Sequence, residues 1–174
     1  MKSNKYILIL SIIIVAALSN ILLTSIPNFS PIASVALFSG FYLSNKKLAL
    51  IVPIACMLIS DYFVGFHSLM WAVYLSFAIT VFMGILMKTA NRKNVIINSI
   101  LCSLVFFLIT NSAVWLTGNF YASNLSGLGI CLAMGIPFFK YTLLSSLVFS
   151  TILFGGFQIL NQLINKFLIL SKKS

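Results

Sequence analysis

Apolar residues run along this chain in long stretches, interrupted at short intervals by small groups of lysine, arginine, proline and asparagine. Crossing ~30 Å of hydrocarbon takes ~20 apolar residues in a helix. Residues 6–26, 69–87, 95–116 and 138–160 meet that length outright. The runs 32–43 and 48–66 are tighter, the second carrying Pro53 and reaching Asp61, and a re-entrant hairpin is the alternative there. Two spans are preferred, because Lys46 and Lys47 between them can snorkel from a short helix end. Proline within a span is tolerated where neighbouring helices satisfy the backbone groups it frees.

The pattern therefore predicts an all-α fold: a single integral membrane domain over 1–174 with six transmembrane helices. Residues 6–26 begin like a secretory signal, with Lys2 and Lys5 ahead of an apolar run and Ala17-Leu18-Ser19 as a weak cleavage site. The run is longer than a usual signal core, so it reads as an uncleaved helix.

Between Trp115 and Lys140 the connection is long. Its polar part, 117–126, leads into 127–136, a glycine-containing apolar stretch ahead of Pro137. That stretch is too short to span and reads as an extra re-entrant or interfacial half-helix between helices five and six. The 27–31 turn holds Pro27 and Pro31, with Ser30 placed to cap the helix that follows.

Charge then orients the pattern. Lys2, Lys5, Lys46, Lys47, Lys88, Arg92, Lys93, Lys166, Lys172 and Lys173 share one side of a six-span arrangement, and only Lys140 falls on the other. Short basic loops stay on the cytoplasmic face, so both termini are expected inside, in a multi-pass protein of a bacterial inner membrane. With 61% hydrophobic and 7% charged residues, the net charge of +10 reads as orientation and attraction to the lipid bilayer, not as a nucleic-acid surface.

The outer side carries the only acid, Asp61, and the only histidine, His67. An ionisable group at membrane depth points to a site with a nearby partner. Asp61 reads as a counter-charge or acceptor for a ligand, or as the group orienting His67; the alternatives are an ion pair with Lys140 or a helix cap. Asn111 and Trp115, four apart, share a helical face near the outer end of the fifth span. They suit a small polar ligand by hydrogen bonding and stacking; equally, Asn111 can glue helices and Trp115 belong to an aromatic belt.

Cys56, Cys102 and Cys131 have no paired spacing, and one histidine with one acid argues against a protein-built zinc site. No phosphate-cradling lysine loop and no twin carboxylates occur, which disfavours an ATPase or an aspartyl intramembrane protease. Ser60 and Ser68 lack a nucleophile-elbow context. No catalytic residue, metal site or cofactor is assigned, and the chain is not read as an enzyme.

The succession Pro27-Asn28-Phe29-Ser30-Pro31, Ala36-Leu37-Phe38-Ser39-Gly40, Ser60-Asp61 with Gly65-Phe66-His67, Phe106 to Asn111 with Val114-Trp115, Gly127-Leu128, Cys131, Pro137-Phe138-Phe139, Thr142-Leu143-Leu144 and Phe154-Gly155 resembles an uncharacterised family of small bacterial six-helix transport-type proteins. That family is similar to the S components of energy-coupling factor (ECF) vitamin transporters. Where its pattern has a basic residue near position 20 and Gly-Asp near the start of the last span, this chain has Asn20 and Ser145-Ser146. The resemblance implies capture of a vitamin-like small molecule or metal chelate in an outward pocket built from 27–31, 61–67, 111–115 and 127–140. Asn28, Asp61, His67, Asn111, Trp115 and Lys140 are its expected ligand-binding residues. It also implies partners, an ECF scaffold subunit and ATPases, with docking on the first helix around Ala16 and Ala17. The second reading is a structural or assembly subunit of a membrane complex without a small-molecule site. A third, an embedded enzyme, needs His67 as its base.

Overall fold

Five helices with continuous bounds follow residue 31 among the described residues. They are α1 (Ile32–Tyr42), α2 (Lys46–Val64), α3 (Met70–Leu86), α4 (Arg92–Thr117) and α5 (Leu125–Ser171). α2 and α4 begin at asparagine caps, Asn45 and Asn91, and end at glycines, Gly65 and Gly118. The computed structural model describes residues 11, 14, 15, 18–20, 22, 23 and 26–171, with side chains through Lys166. Helical residues between 11 and 22 precede α1. Lys2, Lys5, Lys172, Lys173, Ala16 and Ala17 lie outside the described residues, as does much of the expected 6–26 span. All regular structure among the described residues is helical.

Among the described residues three helices are long and apolar enough to cross a membrane: α2, α4 and the 125–166 part of α5. α1 and α3 are shorter apolar helices. At 11 residues α1 is ~16 Å long, about half a bilayer's hydrocarbon thickness. Its sequence mixes apolar with small residues on every face, and Ile32 through Gly40 are all buried. A helix apolar all round belongs in an interior. α1, the shorter of the two tight runs in the sequence, packs on α2, α3, α4 and α5.

Small residues set the helix crossings. Gly40 of α1 meets Gly84 of α3: a Cβ on Gly40 would lie 3.1 Å from the Gly84 Cα and collide with the Val81 carbonyl. Small polar residues on these helices turn their hydroxyls back onto their own backbone, as Ser76 and Thr80 do on α3 and Ser99 and Ser103 on α4. Between α1 and α5, the Ser34 hydroxyl donates to the Ser146 carbonyl at 3.1 Å and accepts from Ser150 at 3.0 Å.

α5 corrects the expected half-helix. Residues 127–136 are the first turns of one continuous helix that passes through Pro137. The reason is packing. Gly127, Cys131 and Gly135, spaced by four, are buried, and the stripe continues on the same face through Thr142, Ser145, Ser146 and Ser150. Small residues at that spacing let helix backbones approach, and the Cys131 thiol donates to the Asn111 carbonyl of α4 at 3.3 Å. Pro137 is exposed, away from this stripe.

Near the C-terminal end of α1, aromatic rings fill the bundle. Phe38 packs edge-on against Phe154 and Phe157, and Tyr42 lies 4.3 Å from the Phe157 centroid. Lys46, Lys47, Lys88, Arg92 and Lys93 flank the helix ends on that side. At the other end of the bundle the helices enclose a cavity.

Candidate functional site

The cavity measures about 430 Å³ and is walled by the 26–30 turn, the C-terminal halves of α2 and α4, the N-terminal half of α3 and the 135–145 part of α5. α2 and α4 thus contribute the ends opposite their basic N-terminal residues, Lys46 and Lys47 in α2 and Arg92 and Lys93 in α4.

The turn is pinned first. The Ser30 hydroxyl donates to the side-chain Oδ1 of Asn20 at 2.6 Å, and the side-chain Nδ2 of Asn20 donates to the Ser60 hydroxyl at 2.9 Å. Ser30 also accepts from the Ile32 N–H at 3.2 Å, the capping contact expected of it. Asn28 sits at φ 59°, the left-handed region that asparagine tolerates better than most residues. Phe29 holds the turn on α5 by an edge contact with Phe149, centroids 5.6 Å apart.

Asp61 follows Ser60, inside the last turn of α2, and only 3% of its surface is exposed. The Tyr74 hydroxyl of α3 donates to its Oδ2 at 2.5 Å. Among the described residues no cation pairs with the carboxylate, and Lys140 is exposed with its ammonium 4.9 Å from the centre of the Tyr141 ring. α2 ends where Gly65 adopts φ 112° and returns its N–H to the Asp61 carbonyl at 2.8 Å. Only glycine takes that backbone without strain. The reversal carries His67, exposed, to the cavity lining.

The structure thus brings Asn28, Asp61, His67 and Asn111 to one cavity. Asn111 also serves packing: its amide donates to the Phe107 carbonyl one turn back at 2.8 Å, and its Oδ1 would lie 2.5 Å from a Cβ on Gly135. Trp115 and Lys140 are not among the lining residues. The Trp115 indole N–H donates to the Ala122 carbonyl at 2.9 Å, tying the 118–124 loop to α4. Asn124 then caps α5 by accepting from the Gly127 N–H at 2.8 Å.

Several residues of this wall were not singled out from the sequence. Asn20, Ser60, Thr142 and Ser145 supply neutral polar groups. Asn20 and Ser145 had been set apart in the sequence only as departures from the pattern the chain resembles, and that was the available signal. Aromatic pairs form much of the remaining lining: Phe77 stacks on Phe106 with centroids 5.6 Å apart and planes 28° apart, and Phe107 lies 5.0 Å from Phe139. Tyr74, Asp61's hydroxyl partner, gave no signal of its own. Among the described residues no three of His, Cys, Asp and Glu gather as a metal site requires.

The sequence profile of one family spans residues 1–167. The chain belongs to DUF6580, a family of unknown function. No curated protein matches it, and no solved structure does. The cavity and its lining must therefore carry any functional reading.

Proposed function

We propose that this DUF6580 member is the substrate-capture subunit of an importer, taking a vitamin-like small molecule from the outer face of a bacterial inner membrane. The observation that carries this reading is the cavity. Its volume falls within the ~300–1,000 Å³ of small-ligand sites, and its lining is mostly apolar and aromatic with few polar groups, the usual make-up of such pockets. The Phe38, Tyr42, Phe154 and Phe157 cluster fills the bundle toward its basic end, which favours capture from one side over a continuous channel. Basic residues at that end favour placing it inside, which puts the cavity outside.

The chain has no phosphate-cradling lysine loop, so uphill import on this reading draws on partner ATPases and a scaffold subunit, as the resemblance to ECF S components implies. In this role the chain contributes binding, with Asp61, Asn20, Ser60 and Thr142 positioned to meet polar groups of the ligand. The experiment is mass spectrometry of small molecules retained by the detergent-purified protein, beside a variant carrying Asp61→Ala and Thr142→Val. A stoichiometric molecule present in the first and lost from the second is the expected result. Its absence from both, after growth in rich and supplemented media, overturns capture.

The assembly-subunit reading is favoured by one specific observation: Asn111 and Trp115 each donate a side-chain N–H to one of the protein's own carbonyls. An empty cavity in the retention experiment, with partner subunits co-purifying, is the outcome that selects it.

A further inference from the structure

We infer, on the capture reading above, that the ligand is a small organic cation, an amine or a heteroaromatic ring bearing positive charge, held between Asp61 and the phenylalanine pairs of the cavity.

Charge balance comes first. Asp61 is 3% exposed, and Tyr74, its hydrogen-bond partner among the described residues, is neutral. An ionised carboxylate has about four lone-pair sites, and a single hydroxyl leaves most of them unanswered. Burying such a charge without a counter-charge is costly, and burying it beside one recovers much of that cost. Apart from Asp61, the one ionisable side chain lining the cavity among the described residues is His67, which is exposed. No lysine or arginine among the described residues lines it. The chain carries eleven lysines and arginines against one acid, yet places the acid in the cavity. A ligand anion would face Asp61 without lysine or arginine to offset it. A ligand cation completes the pair.

The aromatic residues of the lining favour the same class. Phe77 with Phe106 and Phe107 with Phe139 all line the cavity. Aromatic faces present negative charge to a cation within about 6 Å of the ring centre, and several faces around one site is the arrangement proteins use for ammonium groups. Such rings also stack on a flat heterocycle. Asn20, Ser60, Thr142 and Ser145 remain as neutral partners for other polar groups of the ligand.

The test titrates the full chain in detergent with three probes of similar shape: phenethylammonium, 2-phenylethanol and 3-phenylpropionate. Binding is followed by the shift in unfolding temperature and by tryptophan fluorescence. Phenethylammonium is expected to bind the wild type and Asp61→Glu and to bind Asp61→Asn roughly 10- to 100-fold more weakly, the range set by loss of a charged hydrogen bond. Phe107→Leu keeps the carboxylate and loses one ring face, so it is expected to weaken the cation severalfold and leave the alcohol unchanged. It serves should Asp61→Asn fail to fold.

Equal or tighter binding of the alcohol or the carboxylate, or cation binding unchanged in both variants, overturns the cation inference and leaves capture standing. Where no probe binds, the charge of the molecule retained from cells decides: a cation supports the inference and a neutral or anionic molecule overturns it. No probe bound and no molecule retained overturns capture itself.

Discussion

The Ser39 hydroxyl of α1 donates at 2.8 Å to the carbonyl of Ala49, the residue one turn before Pro53 in α2. In an unbroken helix that carbonyl accepts from the N–H at position 53, which proline lacks. Ser39 is fully buried, so the bond replaces a contact that water cannot supply. The proline and its remedy lie on different helices.

Ser39→Ala is therefore expected to cost about 1–3 kcal/mol, the range for leaving a buried acceptor unpaired. In a Pro53→Ala background the backbone N–H restored at position 53 serves the Ala49 carbonyl directly, and the same change is expected to cost markedly less. A double-mutant cycle on unfolding in detergent measures the coupling. Equal costs in the two backgrounds would remove this account of how α2 carries its proline.

The α1–α3 crossing makes a second prediction. Gly40→Ala and Gly84→Ala each drive a methyl into a backbone carbonyl of the facing helix, which side-chain movement cannot relieve. A loss of about 2 kcal/mol or more is expected, within the overpacking range or above it. Gly129 and Gly155 have open space where a Cβ would stand. Gly129→Ala and Gly155→Ala are expected to be neutral or to gain up to about 1 kcal/mol of helix preference. Unfolding temperatures of the four variants, compared in one detergent, check the ordering.

These crossings show how far the sequence could be read. Hydrophobic length was sufficient for α4, while α2, interrupted by Pro53, was one of the two tighter runs, and the burial of α1 shows only in the structure. The continuity of α5 was hidden, because Pro137 and nearby glycines resemble a break. The contrary signal was the spacing of Gly127, Cys131 and Gly135, which matters only once α4 is known to lie against them. The site followed a similar rule. Asn28, Asp61, His67 and Asn111 share the non-basic end of the bundle, so alternation of charged ends sufficed to bring them together. Tyr74 depends on the register between α2 and α3, which the 65–69 turn sets. Lys140 lies two positions before Thr142 on α5, off the buried stripe, and no pattern within the chain says which face α4 takes.

Trp115 gives a third prediction, because its geometry separates a loop anchor from a ligand contact. Trp115→Phe keeps a ring and removes the indole N–H that reaches Ala122. A loss of about 1 kcal/mol is expected, as for one ordinary hydrogen bond, with faster proteolysis between 118 and 124. Retention of a bound small molecule is expected to be unchanged. A variant that loses the molecule while keeping its stability and its loop protection would return Trp115 to the ligand site.

Orientation in the membrane is tested by side-specific labelling. Cys56, Cys102 and Cys131 are free cysteines, buried or half-buried in helices, and all three are changed to alanine first. Single cysteines are then introduced by His67→Cys and Ser123→Cys at the cavity end and by Lys46→Cys and Lys88→Cys at the basic end, all exposed positions. Retention of short basic loops in the cytoplasm predicts that a membrane-impermeant maleimide labels positions 67 and 123 in intact cells. Positions 46 and 88 are expected to react only after permeabilisation. The reverse pattern would turn the cavity toward the cytoplasm and end the case for import from outside. Labelling of 46 and 67 from the same side would mean that α2 does not cross, and would return residues 32–66 to a re-entrant hairpin.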